Sequence, residues 1–146
     1  MTEIVLPEDT NPRGSVFGGR VLALIDKCAA IAAMRHARSE VLTVSMDSVV
    51  FLSRVVAGHV LTLHGRLNAA FGSSMEVEVT VESEEPRSGA RTLTTRALVT
   101  MVAVDDLSRP RRVPALDSGD DAQRRRAEQA TERRRRRLAA RDDGGA

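Results

Sequence analysis

One carboxylate lies in the middle of an otherwise apolar stretch of the sequence. Asp26 follows Leu24 and Ile25 and precedes Ala29 and Ala30. Burying a carboxylate among such side chains costs free energy unless it is paired, hydrogen-bonded or neutral. The position therefore suits a general base, which accepts a proton from an attacking water. It equally suits a structural carboxylate that pairs with the adjacent lysine or an arginine, or that faces water, so position alone leaves both interpretations open.

Two glycines precede this carboxylate at the predicted start of the same helix. Gly18 and Gly19 end a loop and open a predicted helix, so their backbone N–H groups have no partner within that helix. Such a helix start stabilises a developing negative charge, as an oxyanion hole requires. Gly19 and Asp26 are seven residues apart, which places them on one helix face, and the aspartate leans toward the helix start. A glycine pair alone is most often a turn, but with this carboxylate it predicts a site.

Three other polar groups have weaker claims to chemistry. Asn11 in the preceding loop offers an amide that donates to a carbonyl or accepts from a water, although a turn or cap role explains it better without further context. Cys28 on the apolar helix has no evident base partner and is predicted to belong to the core. With three scattered histidines and one cysteine, no metal-ligand spacing occurs, and no metal is expected.

The elements that position these residues follow from periodicity. Apolar residues recur at spacings of three and four from Arg20 to about Ala37, which predicts a buried helix. Residues 41–104 alternate in long segments joined by short links, which predicts antiparallel strands. A short strand over residues 2–7 and a loop over 8–19 precede the helix. The fold class is α+β, a long antiparallel sheet wrapped around one buried central helix.

Charge is divided unevenly along the chain. The net charge of +2 is the sum of −3 through Asp106 and +5 from Leu107 onward. We predict one folded domain over residues 1–116 and a basic, disordered tail over 117–146, because the tail has few large apolar residues. Residues 122–141 favour at most a transient helix. The tail arginines would suit a nucleic acid, but the acidic body offers no basic face, so nucleic-acid binding remains only an alternative.

The sequence predicts a cytoplasmic protein. We find no signal peptide and no apolar run of about 18 residues, so no membrane partner is expected. The single cysteine, Cys28, excludes an internal disulfide and fits a reducing compartment.

Three motifs make the sequence recognisable. They are P-x-D-T-N-x-x-G-x-x-F-G-G over residues 7–19, the Ile25–Asp26 pair, and G-S-S-M-E-V over residues 72–77. With them, the chain from about Ile4 to Leu116 resembles the acyl-CoA thioesterases of the HotDog superfamily, and among these the bacterial acyl-CoA hydrolases related to the animal brain-type enzyme. The resemblance implies hydrolysis of acyl-CoA to a fatty acid and coenzyme A, with no cofactor beyond the coenzyme A of the substrate.

The resemblance assigns roles to the residues singled out above. The family's helix carboxylate falls on Asp26, its loop amide on Asn11, and its helix-start glycines on Gly18 and Gly19. Asp26 would activate a water while the N–H of Gly19 holds the thioester oxygen, and Asn11 of a second protomer would orient the water or the carbonyl. Direct attack by Asp26 through an anhydride is the alternative. A non-catalytic acyl-CoA-binding protein is the main rival, but it would not need this set of groups.

Contacts to coenzyme A are expected from a second set of residues. Ser73 and Ser74 match the family's segment near bound coenzyme A, and Arg54, also assigned to substrate binding, replaces the proline of the family's F-x-x-P-V pattern. The arginines that would reach the phosphates from a neighbouring protomer are Arg109, Arg111 and Arg112. Because the site needs two protomers and one sheet edge is left open, we expect a homo-oligomer, a dimer at least, with a hexamer as the larger alternative.

Overall fold

The computed structural model describes residues 1–117 and 119–145. The elements are β1 (Thr2–Ile4), a short 3-10 helix (Pro7–Asp9), α1 (Gly18–Ala37), β2 (Glu40–Phe51), β3 (Val60–Phe71), β4 (Ser74–Glu84), β5 (Arg91–Val104) and α2 (Asp121–Gly144). The predicted helix and four long strands are confirmed. The helix includes both glycines, and β1 is shorter than predicted because Pro7 opens the 3-10 turn.

The strands form one antiparallel sheet in the order β1-β3-β4-β5-β2. β2 lies at one edge, and its pairing with β5 shifts register twice, between Thr43 and Ser45 and between Asp47 and Val50. Bulges of this kind bend a strand and increase its twist. The sheet and the buried helix α1 across one of its faces confirm the predicted α+β architecture.

α1 lies across one face of the sheet and contacts its four long strands. Alternate residues of β4 face it and are fully buried, as the period-two pattern predicts: Met75, Val77, Val79 and Val81. At Gly65 of β3, a Cβ atom would lie 3.2 Å from both the carbonyl oxygen and Sγ of Cys28. Glycine therefore sets how closely α1 approaches the sheet. One side of α1 stays open in the single chain, where Ile31 is 37% and Met34 is 41% exposed.

The C-terminal residues are folded, which corrects the expectation of a disordered tail. Residues 121–144 form α2, and the Asp120 side chain caps it by accepting a 2.8 Å hydrogen bond from the Gln123 N–H. α2 packs against β3, and its Ala130 is fully buried. Glu76, which lies between two core residues of β4, is only 4% exposed. Since neighbouring residues of a strand face opposite sides, α2 covers the face of the sheet opposite α1. The domain boundary at residue 116 remains a prediction.

Ion pairs replace apolar packing in the docking of α2. Arg133 donates to both carboxylate oxygens of Glu76, at 2.6 and 3.0 Å. The Asn68 amide donates to the same carboxylate at 2.9 Å. Further along the helix, Nη1 of Arg137 lies 3.5 Å from Oδ2 of Asp47 on β2. Arginines therefore hold to the sheet a helix that has few large apolar residues.

Candidate active site

Asp26 is held by a hydroxyl group from the sheet. Oγ1 of Thr43 on β2 donates a 2.5 Å hydrogen bond to Oδ1 of Asp26. The aspartate is half-buried, and within residues 1–117 and 119–145 no lysine or arginine forms an ion pair with it. A structural role through pairing with a nearby cation therefore does not hold among these residues, whereas the partial exposure of Asp26 agrees both with a general base and with a carboxylate that faces water. Oδ2 remains able to accept a hydrogen bond from a water molecule.

Thr43 is a candidate site residue that the sequence analysis missed. It lies opposite Met101 of β5, and its Oγ1 is 3.5 Å from the sulfur of that residue. A threonine in a strand carries little signal, because β-branched residues are common there for packing reasons. A hydroxyl on the helix-facing side of β2 would have been the useful signal, but the bulge after Thr43 shifts the alternation.

The start of α1 presents two free N–H groups. Arg20 and Val21 donate the first hydrogen bonds, to the carbonyl of Phe17, at 3.0 and 3.3 Å. The N–H groups of Gly18 and Gly19 have no acceptor in the described part of the chain. Both glycines are exposed, and a Cβ atom at Gly19 would meet nothing within 4 Å. An anionic oxygen therefore has room to approach these donors at the positive end of the helix.

We expect Gly19→Ala to keep the fold and slow the reaction. Alanine is favoured over glycine in a helix by up to about 1 kcal/mol, and within the protomer its methyl group has free space. With substrate bound, that methyl would crowd the oxygen, so kcat/KM should fall by roughly tenfold or more. Thermal melting and steady-state kinetics of the same preparation test this. A variant as active as the parent enzyme would place the oxyanion elsewhere.

The loop before α1 is closed by its own hydrogen bonds. The N–H of Phe17 donates to the carbonyl of Asp9, and the N–H of Asn11 donates to that of Ser15, both at 2.8 Å. Oδ1 of Asn11 accepts from the N–H groups of Arg13 and Ser15, at 2.9 and 3.2 Å. Asn11 is thus a turn residue, as one interpretation required. Its Nδ2 makes no hydrogen bond within the residues described, which leaves a donor available for a ligand.

Arg54 lies against this loop. Its Nε donates to Oγ of Ser15, and its Nη2 donates to the carbonyl of Arg13. The guanidinium is therefore engaged within the protein, and a contact between Arg54 and substrate stays a prediction.

Ser73 and Ser74 lie at the tight turn between β3 and β4. Gly72 opens this turn with φ of +56°, in the left-handed region that favours glycine. The segment after β5 covers the turn, because the N–H of Val113 donates to the carbonyl of Gly72 at 2.7 Å. The N–H of Arg111 donates to β5 at 2.8 Å. The structure thereby brings the two predicted coenzyme A segments together.

The strand register places this turn near the carboxylate. Thr43 lies opposite Met101, and Met101 lies opposite Met75, the residue after Ser74. Neighbouring strands are about 4.8 Å apart, so Thr43 and Met75 are separated by about 10 Å across the sheet. The hydroxyl that holds Asp26 and the serine turn thus lie at the same end of the sheet.

The three arginines predicted to meet phosphate differ in their surroundings. Nε of Arg109 lies 3.3 Å from Oδ2 of Asp105. Hydrogen bonds from the N–H groups of Arg109 and Leu107 lower the pKa of the Asp105 carboxyl, which favours this ion pair. Arg111 and Arg112 are exposed, and their side chains form no ion pair with the described residues. They are the better placed of the three to bind an anion.

Cys28 belongs to the core, as its neighbours predict. It is 6% exposed, and burial raises the pKa of its thiol, which the nearby terminal ammonium partly opposes. A thiol kept protonated is a poor nucleophile. In the described ranges, no group of histidine, cysteine, aspartate and glutamate side chains is arranged to hold a metal ion. No helix among these residues is long and apolar enough to cross a membrane.

β2 presents an uncovered apolar edge beside the site. Four large apolar side chains of β2 and the one that follows the strand are between 48% and 54% exposed. They are Leu42, Val44, Val50, Phe51 and Leu52. An unpaired strand edge with such side chains is a typical surface for another chain to cover. Since β2 also carries Thr43, a protomer bound there would lie next to Asp26.

The fold is that of the HotDog proteins, in which an antiparallel sheet wraps a central helix, and here that helix carries the candidate carboxylate Asp26. The chain belongs to the Thioesterase superfamily, whose family model matches residues 13–90. This confirms the resemblance drawn from the motifs.

Solved structures share the fold over nearly the whole chain. An apo-hexameric acyl-CoA thioesterase is 44% identical, with a TM-score of 0.90, over 96% of this chain and 90% of its own. An acyl-CoA hydrolase from Staphylococcus aureus, solved with butyryl coenzyme A, coenzyme A and coenzyme A disulfide, is 36% identical, with a TM-score of 0.88, over 99% of this chain and 88% of its own. Structures of that hydrolase with alanine in place of an aspartate, a threonine or an asparagine also match.

Curated relatives agree with this assignment. An uncharacterised acyl-CoA thioester hydrolase from Bacillus subtilis is 40% identical over 77% of this chain and 66% of its own length. Mouse acyl-coenzyme A thioesterase 11 is 39% identical over 75% of this chain. The chain spans just under two thirds of the first relative and 18% of the second.

Proposed function

We propose that this chain hydrolyses acyl-CoA thioesters to a free fatty acid and coenzyme A, at a site completed by a second protomer. The observation that carries the proposal is the pairing of Asp26 with Thr43 on the helix face that begins with the free N–H group of Gly19. The names of the relatives and solved structures support the same activity.

Asp26 acts as the general base in this mechanism. The Thr43 hydroxyl fixes Oδ1, so Oδ2 accepts the proton of a water that attacks the thioester carbonyl. The carbonyl oxygen gains negative charge, which the N–H groups of Gly18 and Gly19 stabilise. Collapse of the intermediate breaks the C–S bond, and the proton held by Asp26 passes to the departing thiolate. In a single turnover in heavy-oxygen water, the general-base route puts the label in the fatty acid alone, whereas label on Asp26 would show an anhydride that water opens at the aspartyl carbon.

The alanine variants of the S. aureus hydrolase support the three residues chosen. Their substituted asparagine precedes the aspartate by 15 residues, and the threonine follows the aspartate by 17. Asn11, Asp26 and Thr43 have the same residue types at the same intervals. In a chain 35% identical over 99% of this one, that correspondence favours the same positions here.

We further propose that Asn11 serves the site of a partner protomer. No hydrogen bond joins Asn11 to Asp26 in one protomer among the residues described, and the free Nδ2 is a donor without an acceptor. The apolar edge of β2 provides the surface for a dimer, and the hexameric neighbours support assembly beyond a dimer.

Coenzyme A is proposed to lie over the β3–β4 turn. Ser73 and Ser74 would contact it there, and Arg111 and Arg112 would pair with its phosphates, with Arg109 as the further predicted contact. No cofactor besides the substrate's coenzyme A is proposed. Relatives named cytosolic acyl coenzyme A thioester hydrolases in mouse, rat and human support a cytoplasmic location.

Subunit mixing tests the shared site. Asn11→Ala and Asp26→Asn chains should each be nearly inactive, but exchanging them should restore about a quarter of the parent activity, since half of random dimers are mixed and each mixed dimer has one intact site. The measurement is thiol release from acyl-CoA substrates of several chain lengths, read with a thiol-reactive dye. Native mass spectrometry verifies the exchange. Exchange without recovery would place each site within one protomer.

A further inference from the structure

Arg54 marks a departure of this chain from the sequence pattern it otherwise resembles. It follows β2, on the connection to β3, and its side chain reaches back to the loop before α1. We propose that Arg54 is a positioning residue, which holds this loop so that Asn11 can act in the reaction. The inference rests on the proposed function, because it presumes that the Asn11 amide serves catalysis.

The guanidinium of Arg54 fastens the tip of the loop from two directions. Its Nε donates to the Ser15 hydroxyl and its Nη2 to the Arg13 carbonyl. Nη2 also lies 3.8 Å from the place that a Cβ atom of Gly14 would occupy, and Gly14 has φ of +76°. The planar group thus lies over a left-handed glycine at the loop tip and bridges the residues on both sides of it.

The same two loop residues orient the Asn11 side chain. The N–H groups of Arg13 and Ser15 donate to Oδ1 of Asn11, at 2.9 and 3.2 Å. Arg54 therefore fixes the carbonyl of Arg13 and the hydroxyl of Ser15. Through them it fixes the amide whose Nδ2 remains free to donate.

The backbone beside Arg54 gives the loop a second attachment. The N–H of Val16 donates to the carbonyl of Val55 at 2.8 Å, and Ser15 forms an isolated β-bridge with Val56. This attachment holds the loop to the body without Arg54. Loss of the guanidinium should therefore release the loop tip alone, which changes the orientation of an amide rather than the fold.

The chemistry separates this role from phosphate binding. A phosphate-binding arginine contributes mainly to substrate affinity, so its loss raises KM. A residue that orients a group needed in the transition state contributes to kcat, since a misplacement of about 1 Å costs up to 100-fold. The two donors of Arg54 act as a planar fork, which the single ammonium of lysine cannot reproduce.

The test compares Arg54→Ala and Arg54→Lys with the parent enzyme over a range of acyl-CoA concentrations. We expect kcat to fall by roughly 10- to 100-fold in Arg54→Ala while KM changes by less than about twofold. Arg54→Lys should restore little, whereas added ethylguanidinium should restore part of kcat in Arg54→Ala. In an Asn11→Ala background, Arg54→Ala should cause almost no further loss of kcat, because Arg54 acts through the orientation of the Asn11 amide.

Arg87→Ala is the matched control. Arg87 is exposed in the turn between β4 and β5, and its side chain makes no hydrogen bond within the described residues. This variant should keep the parent kcat. If Arg54→Ala does not yield folded oligomer, Arg54→Gln carries the same comparison, since it removes the fork but keeps a polar side chain.

Three results would overturn the inference: a higher KM at unchanged kcat, full activity in Arg54→Lys, or losses from Arg54→Ala and Asn11→Ala that multiply. Asp26→Asn, measured in parallel, separates this failure from that of the proposed function. An active Asp26→Asn enzyme overturns the proposed mechanism and this inference with it. An inactive Asp26→Asn enzyme beside a fully active Arg54→Ala enzyme overturns the inference alone.

Discussion

Asp26→Asn is expected to lower kcat by roughly 100-fold or more, the scale of losing a general base. Asparagine keeps the size of the side chain, and its Oδ1 still accepts the Thr43 hydroxyl, but it cannot take a proton from water. Affinity for a non-hydrolysable acyl-CoA should stay within about threefold of the parent value, because the change acts on the transition state. Steady-state hydrolysis and titration calorimetry on one preparation measure both quantities.

Two companion variants sharpen this comparison. Thr43→Val keeps the shape of the residue and removes the hydroxyl, so it should cost less than Asp26→Asn, about tenfold in kcat. Asp106→Asn changes an exposed aspartate in the turn after β5 and should leave turnover unaltered. If Asp26→Asn keeps near-parent turnover, the water is activated by another group and the proposed mechanism is wrong.

Arg133→Ala should lower the free energy of unfolding by about 2 kcal/mol, because it leaves the buried Glu76 carboxylate without its cation, although the Arg133 side chain itself is 32% exposed. Glu76 is 4% exposed, and without Arg133 the Asn68 amide is the one donor among residues 1–117 and 119–145 that would still bind its carboxylate. The measurement is urea denaturation at neutral pH, followed by circular dichroism.

The control for this variant is another arginine of α2. Arg135 pairs with Glu132 at the surface, where its side chain is 72% exposed, so Arg135→Ala should cost less than about 1 kcal/mol. The double variant Arg133→Met with Glu76→Gln should regain most of the lost stability, since no charge is then buried alone. Equal, small losses for Arg133→Ala and Arg135→Ala would mean that α2 is held only loosely.

The part of the site that lies on α1 is predictable because it depends on spacing within one element. Gly19 and Asp26 share a face through helical geometry alone, and the apolar residues around Asp26 mark it as unusual. The inward set of β4, from Met75 to Val81, follows from strict alternation for the same reason. These features can be predicted without knowing which helix packs against which strand.

The parts that escaped prediction depend on contacts between elements. The partnership of Thr43 with Asp26 needs the register of an edge strand interrupted by bulges. Strand alternation predicts only that Glu76 faces outward. Predicting where α2 packs would also require knowing that Arg133 lies opposite Glu76. The small number of large apolar residues predicted a disordered tail. That criterion does not register specific ion pairs, and ion pairs are what hold this helix.

The position of α2 along the chain also sets the order in which the two faces of the sheet are covered during synthesis. α1 precedes the four long strands, whereas α2 follows them. The ties from α2 to β4 and β2 come from Arg133 and Arg137. Until these two residues leave the ribosome, the sheet has one face still open to water, and exposed sheet surface of this kind is what chaperones and proteases bind.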